Sequence, residues 1–158
     1  MRFRIVTANQ SEAQFYDAVS PTRPPTFAGS LSNPASRLHD RDLDSDRPGR
    51  VFNRAAVSGR RRGASTRHGV DGERSTHQHV VEKFARRLAD ELRRAHAAGK
   101  FDRLVVVAAP AFLGRLRRVL PADVRACIAS TVDKDVIGQD FDPGQFLTSA
   151  MYARRRIA

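Results

Sequence analysis

The chain has one cysteine, Cys127, and so cannot close a disulfide within itself. With a single thiol to contribute, a structural zinc site is not expected either. Tryptophan is absent, and lysine occurs only at positions 83, 100 and 134. The longest apolar run, Leu104 to Ala109, stops at Pro110. That is far short of the roughly 20 residues a membrane-crossing helix needs. The opening segment, Met1 to Ala8, is too short and too strand-like for a secretory signal. Cytoplasmic location is therefore the expectation. No Walker loop, Gly-x-Ser-x-Gly or Gly-x-Gly-x-x-Gly occurs, so the commonest nucleotide and acyl-transfer signatures are missing.

What remains is 158 residues, enough for one domain with one core. Hydrophobic content of 41% rules out global disorder. The formal net charge is +11, and almost all of the positive side is arginine. Arginine's planar fork suits phosphate and stacks on bases. A cationic excess of this size favours a polyanionic partner.

Residues 3–8 and 12–19 read as strands, with Asn9-Gln10-Ser11 as the turn between them, and 27–31 reads as a third. This opening predicts an antiparallel meander. From Ser32 to about Thr76 the periodicity vanishes and Gly, Pro, Ser, Asp and Arg dominate, predicting a long loop of a kind that is functional or disordered, flexible over about 46–76. Val80, Phe84, Leu88 and Leu92 recur every fourth position from His79 onward, which predicts an amphipathic helix capped by Ser75 or Thr76 and ended by Gly99. Phe101–Ala109 reads as a buried strand, Pro110–Leu120 as a short helix and Val124–Val132, with Cys127 in it, as another strand. The tail from Asp142 to Ile157 predicts a last helix. Alternating helices and strands imply parallel pairing through crossovers, so the expected fold is a mixed α/β domain over 1–158.

Four constellations could carry chemistry. Between Arg50 and Arg74 lie seven arginines, at 50, 54, 60, 61, 62, 67 and 74, opposed only by Asp71 and Glu73. Gly59, Gly63, Gly69 and Gly72 punctuate them and permit close backbone approach. Such Arg/Gly segments bind RNA and order on binding; the competing reading is a solvated loop that keeps the protein soluble. The alternation Asp40, Asp42, Asp44, Asp46 lacks the Gly and Glu an EF-hand needs and is expected to pair with Arg37, Arg41, Arg47 and Arg50. His77 and His79 are two apart and do not share a helix face. A two-metal nuclease needs converging carboxylates, and residues 3–8 hold none. Asp133-Lys134-Asp135 sits at the carboxyl end of a presumed parallel strand, where α/β sheets place ligands. Asp102 and Asp133 are expected to cap a helix or pair with arginine.

Leu31-Ser-Asn-Pro34, Arg37, Asp40-Arg-Asp-Leu43 and Ser45-Asp-Arg-Pro-Gly-Arg50 resemble the first signature of the bacterial host-attachment protein family. Phe84–Ala89 resembles its central helix, Phe101–Pro110 with Phe112-Leu-Gly114 its second signature, and Asp133-Lys-Asp135 its third. The family is similar to the middle domain of archaeal and eukaryotic class-1 release factors and of Pelota. That resemblance implies ribosome or RNA contact, in translation stress, hibernation or rescue. The family name implies a part in attachment to host cells. The chain departs from its relatives in three places: no Gly-Gly-Gln stands in the loop, Asn9 replaces a usual aspartate, and Val136-Ile137-Gly138 follows Asp135.

The expectation is a non-catalytic RNA- or ribosome-binding protein without cofactor or metal. Its phosphate contacts would be Arg47, Arg50, Arg60, Arg61, Arg62, Arg67, Arg74, Arg86 and Arg87, with Arg93 and Arg94 extending the surface. Its rivals are a factor indirectly required for attachment and a metal-dependent hydrolase using Asp133 or Asp135. Oligomeric state and the role of Arg154-Arg155-Arg156 are not legible.

Overall fold

A computed structural model describes residues 1–20, 22–37 and 68–154, the side chains at 68–75, 149 and 151–154 excepted. Five strands form one sheet: β1 (Phe3–Ala8), β2 (Glu12–Ala18), β3 (Thr26–Ser32), β4 (Arg103–Ala108) and β5 (Ile128–Val132). Their order across the sheet is β3-β2-β1-β4-β5. β1 runs antiparallel to β2 and parallel to β4, and β4 is parallel to β5. The expected meander and the expected parallel half are both present, and they meet at β1.

The reason lies in the two middle strands. β1 and β4 align residue for residue, Phe3 opposite Arg103 through Ala8 opposite Ala108. Every residue of β1 after Phe3 and of β4 after Arg103 is buried. A strand covered on both faces must be apolar on both, so the unbroken Leu104–Ala108 run places β4 in the interior. Even and odd positions then feed two cores. Val6, Ala8, Leu104, Val106 and Ala108 pack under the long helix α1 (His68–Ala97), α2 (Pro110–Val119) and the short α3 (Ala122–Ala126). Ile5, Val105 and Val107 pack under α4 (Gly144–Arg154), with Val136, Phe146, Leu147 and Ala150.

Helix α1 buries Val81, Phe84, Ala85, Leu88, Ala89, Leu92 and Ala95, the stripe its periodicity predicts. It ends where Gly99 takes φ +67°, a left-handed turn that an L side chain resists. Two boundaries differ from expectation. α1 begins at His68, so Ser75 and Thr76 lie inside it and cannot cap it. Gly69 and Gly72 break the sequence signal there, but extending a packed helix is far easier than nucleating one. Residues 124–126 are helical, and Cys127 caps α3 before β5 begins at Ile128. Five residues alternating loosely between apolar and polar fit one and a half helical turns as well as a strand; Val124, buried against the α1 layer, decides between them.

Among the described residues one charge lies inside. Arg4 on β1 is 5% exposed and stands directly opposite Asp17 on β2. Its Nε and Nη2 donate to the two Asp17 carboxylate oxygens at 2.7 and 2.8 Å. Its guanidinium also rests near the rings of Phe15 and Phe101, at 5.8 and 5.6 Å. Removing the acid strands a buried cation, whereas removing the cation leaves a half-solvated acid. Asp17→Asn is therefore expected to cost about 2–3 kcal/mol in urea unfolding, and Arg4→Met less. Thr7 is fully buried and its Oγ1 has no hydrogen-bond partner. Thr7→Val keeps the shape and removes that unpaired hydroxyl, so its unfolding midpoint should equal or exceed that of the parent.

Candidate functional site at the carboxyl edge of the sheet

The parallel strands β1, β4 and β5 end on the same edge, and three turns leave the sheet there. Asn9 follows β1 and makes a tight turn: its Oδ1 accepts from the amides of Ser11 and Glu12 at 2.8 and 3.0 Å. That leaves its Nδ2 pointing across the edge, where it donates to the Asp135 carboxylate at 3.2–3.3 Å. Asp135 is held again from its own turn by the Ile137 amide at 3.1 Å, and its carbonyl accepts from Gln139 Nε2 at 2.9 Å. Asp133 and Lys134 beside it are exposed. Position 9 is thus an amide that fastens a carboxylate. Two acids converging here would repel; an amide and an acid bind each other.

The third turn brings in the chain that leads to the Arg-rich segment. Buried Asn33 donates to the Gln10 carbonyl at 2.8 Å, and Ser36 Oγ donates to Ser11 Oγ at 2.9 Å. These bonds pin the single turn Pro34–Arg37 against the β1–β2 connection. Arg37, exposed, therefore stands at the carboxyl edge. The C-terminal end of α1 sits at the opposite edge, where the His96 and Phe101 rings lie 5.4 Å apart; toward the carboxyl edge Phe84 meets Phe112 of α2 at 5.7 Å. Helix α1 thus runs from the carboxyl side of the sheet toward the amino edge.

Of the arginines expected to contact phosphate, Arg47, Arg50, Arg60, Arg61, Arg62 and Arg67 lie outside the described residues, as does the acidic alternation at 40–46. Arg74 falls within α1. The exposed helix surface divides in two. Arg86, Arg93 and Arg94 are each near an acid one turn away: Glu82 at 3.7 Å, Asp90 at 3.6 Å and Glu91 at 3.1 Å. Arg87 instead donates to the Ser32 carbonyl at 3.4 Å and has no acid partner among the described residues. The sequence reading found the helix α2 but left its arginines, Arg115, Arg117 and Arg118, out of the candidate site; the helix carries no acid. Arg117 donates to Thr131 at 2.7 Å and Arg118 to the Gly114 carbonyl at 3.4 Å, so both keep their charge uncompensated. Absence of acids from Pro110–Val119 was the signal available in the sequence.

A second polar cluster lies at the amino edge. Cys127 Sγ is 3.1 Å from His96 Nε2, and His96 Nδ1 is 3.8 Å from Asp123 Oδ2. The order thiol, imidazole, carboxylate matches a nucleophile and its base. Burial nevertheless pushes the Cys127 thiol up, reinforced by Asp123 and Asp102 and opposed by Arg103. A thiol that stays protonated at neutral pH is a poor nucleophile and a poor metal ligand. Among the described residues no group of three or more His, Cys, Asp or Glu side chains could hold a metal ion. Asp102, expected to cap a helix or pair with arginine, accepts from the Arg2 amide at 2.7 Å and from its guanidinium at 3.3 Å. Those bonds hold its carboxyl below the ordinary range.

The family model described as "Protein required for attachment to host cells" matches residues 4–142. The chain belongs to that family. The match begins on β1 and runs past the Asn9–Asp135 pair, so the matched region takes in the five strands from Arg4 onward, their carboxyl edge and residues 38–67. No curated protein matches the chain. No helix among the described residues is long and apolar enough to cross a membrane.

Asn9→Asp tests the edge directly. It places a second carboxylate within about 3 Å of Asp135 and should destabilise this exposed site by about 1 kcal/mol at pH 7. The repulsion raises one carboxyl in the folded state, so the loss should shrink as pH falls below about 5. Thermal unfolding of parent and variant between pH 4 and pH 7 measures it.

Proposed function

We propose that this member of the host-attachment family binds RNA, with the ribosome as its first partner, and performs no catalysis. One observation carries the reading: the sequence sets seven arginines against two acids between Arg50 and Arg74, and on the helical layer Arg87, Arg117 and Arg118 have no acid partner among the described residues. Arginine forks contact phosphate in pairs of hydrogen bonds, and each neutralised phosphate releases counterions. Support for a non-catalytic role comes from the missing Gly-Gly-Gln, the tied Asp135 and the protonated Cys127.

The printed description of the family favours a second reading, a part in attachment to host cells. The two separate in a deletion strain: lost adhesion with unaltered translation supports attachment alone. Sedimentation of the protein with ribosomes at low salt, and its release at high salt, is the result expected from RNA binding. If the protein remains at the top of the gradient in every salt and stress condition, the ribosome reading fails.

Charge removal gives a sharper number. Arg60, Arg61 and Arg62 all changed to alanine should reduce the slope of log K against log salt for a single-stranded RNA by about 2, at roughly 0.7 per phosphate contact. Fluorescence anisotropy over 50–300 mM salt, on the order used for such slopes, measures this. An unchanged slope removes these three residues from the interface.

A further inference from the structure

At the amino edge of the sheet, opposite the Asn9–Asp135 pair, lies a cavity of about 390 Å³. That size falls within the roughly 300–1,000 Å³ of small-molecule sites. It is lined by the apolar Phe3, Ala18 and Pro24 together with the cations Arg2, Arg23 and Lys100. Three elements bring these cations together. Arg2 precedes β1, Lys100 follows the turn that ends α1, and Arg23 sits in the β2–β3 connection. The Arg2 guanidinium lies over Gly99, where a Cβ would stand 3.8 Å from both its terminal nitrogens, an ordinary contact distance.

The charges lining this cavity do not cancel. Asp17 lines the cavity too, but both its oxygens already accept from buried Arg4. Arg2 shares its guanidinium with Asp102 at 3.3 Å, using one nitrogen of the fork. Arg23 and Lys100 are exposed and have no acidic partner among the described residues. An apolar lining together with converging cations selects a ligand with two ends, a compact dianion and a flat or aliphatic body.

We propose that this cavity binds a small organic phosphate of nucleoside-monophosphate size. The phosphate is held by Arg2, Arg23 and Lys100, the body lies on Phe3 and Pro24, and the part-exposed Asp17 carboxylate accepts from a ligand hydroxyl. None of the residues lining the cavity belongs to the Arg-rich segment, so the proposal holds whether or not the chain binds RNA.

The test is a titration of the isotope-labelled full chain with AMP, followed by amide NMR, with adenosine and inorganic phosphate as separate probes. Saturable shifts at Phe3, Ala18, Arg23 and Lys100 are expected with AMP, weaker shifts at the same amides with phosphate, and weaker still with adenosine. Arg23→Ala combined with Lys100→Ala changes only exposed side chains, and should weaken AMP binding by about tenfold or more while leaving the rest of the spectrum in place. Shifts spread over the helical layer instead of the cavity, adenosine binding as tightly as AMP, or an unchanged affinity in the double variant would each overturn the proposal.

Discussion

Everything in this molecule hangs on β1, a six-residue strand that satisfies both neighbours at once. On one side it takes β2 antiparallel, on the other β4 parallel, and each face is covered by helices. A parallel partner cannot be reached by a hairpin, so the chain must travel through β2, β3 and α1 before returning as β4. That detour contains the Arg-rich segment. The pairing of Phe3–Ala8 with Arg103–Ala108 is thus what holds the two ends of the detour together. It also brings Asn9 to Asp135, 126 positions later in the chain.

The sheet separates two kinds of polar chemistry by its edges. At the carboxyl edge, side chains are consumed in fastening turns: Asn9 on Asp135, Asn33 on Gln10, Ser36 on Ser11. Rigid turns are what a long basic segment needs at its point of departure. At the amino edge the cations Arg2, Arg23 and Lys100 line a cavity and are only partly neutralised. On the helical layer charge is sorted again, since α1 interleaves acids with its arginines and α2 carries none. The net charge of +11 is therefore unevenly usable. A cation with an acid one turn away contributes little field beyond the Debye length, whereas Arg87, Arg117 and Arg118 have no such acid among the described residues.

Much of the fold was legible because burial writes itself into periodicity. Val81 to Ala95 repeats at helical spacing, and Leu104–Ala108 is continuous because both its faces are covered. Pro110 and Gly99 mark turns by their backbone geometry, and the helix at 110–119 and the end of α1 follow. Legibility failed where the signal is local and short. Residues 124–126 are helical because Val124 reaches the α1 core, and a five-residue helix has no period to read. The start of α1 was hidden by two glycines that count against a helix in isolation, though not when it extends a packed one.

The amino-acid sequence by itself determined the class of fold, the alternation of elements, the basic segment and its opposition by only two acids. These are properties of composition and of spacing along one dimension. Only the tertiary structure decided which arginines stay uncompensated, because neutralisation depends on whether an acid lies within about 4 Å, and a carbonyl or a hydroxyl took that place for Arg87 and Arg117. It alone decided that Asn9 binds Asp135, that Arg4 is buried between two rings, and that Arg2, Arg23 and Lys100 share a cavity. Each is a contact between residues far apart in the chain, brought together by the register of β1 and its neighbours, and register depends on how the whole sheet packs.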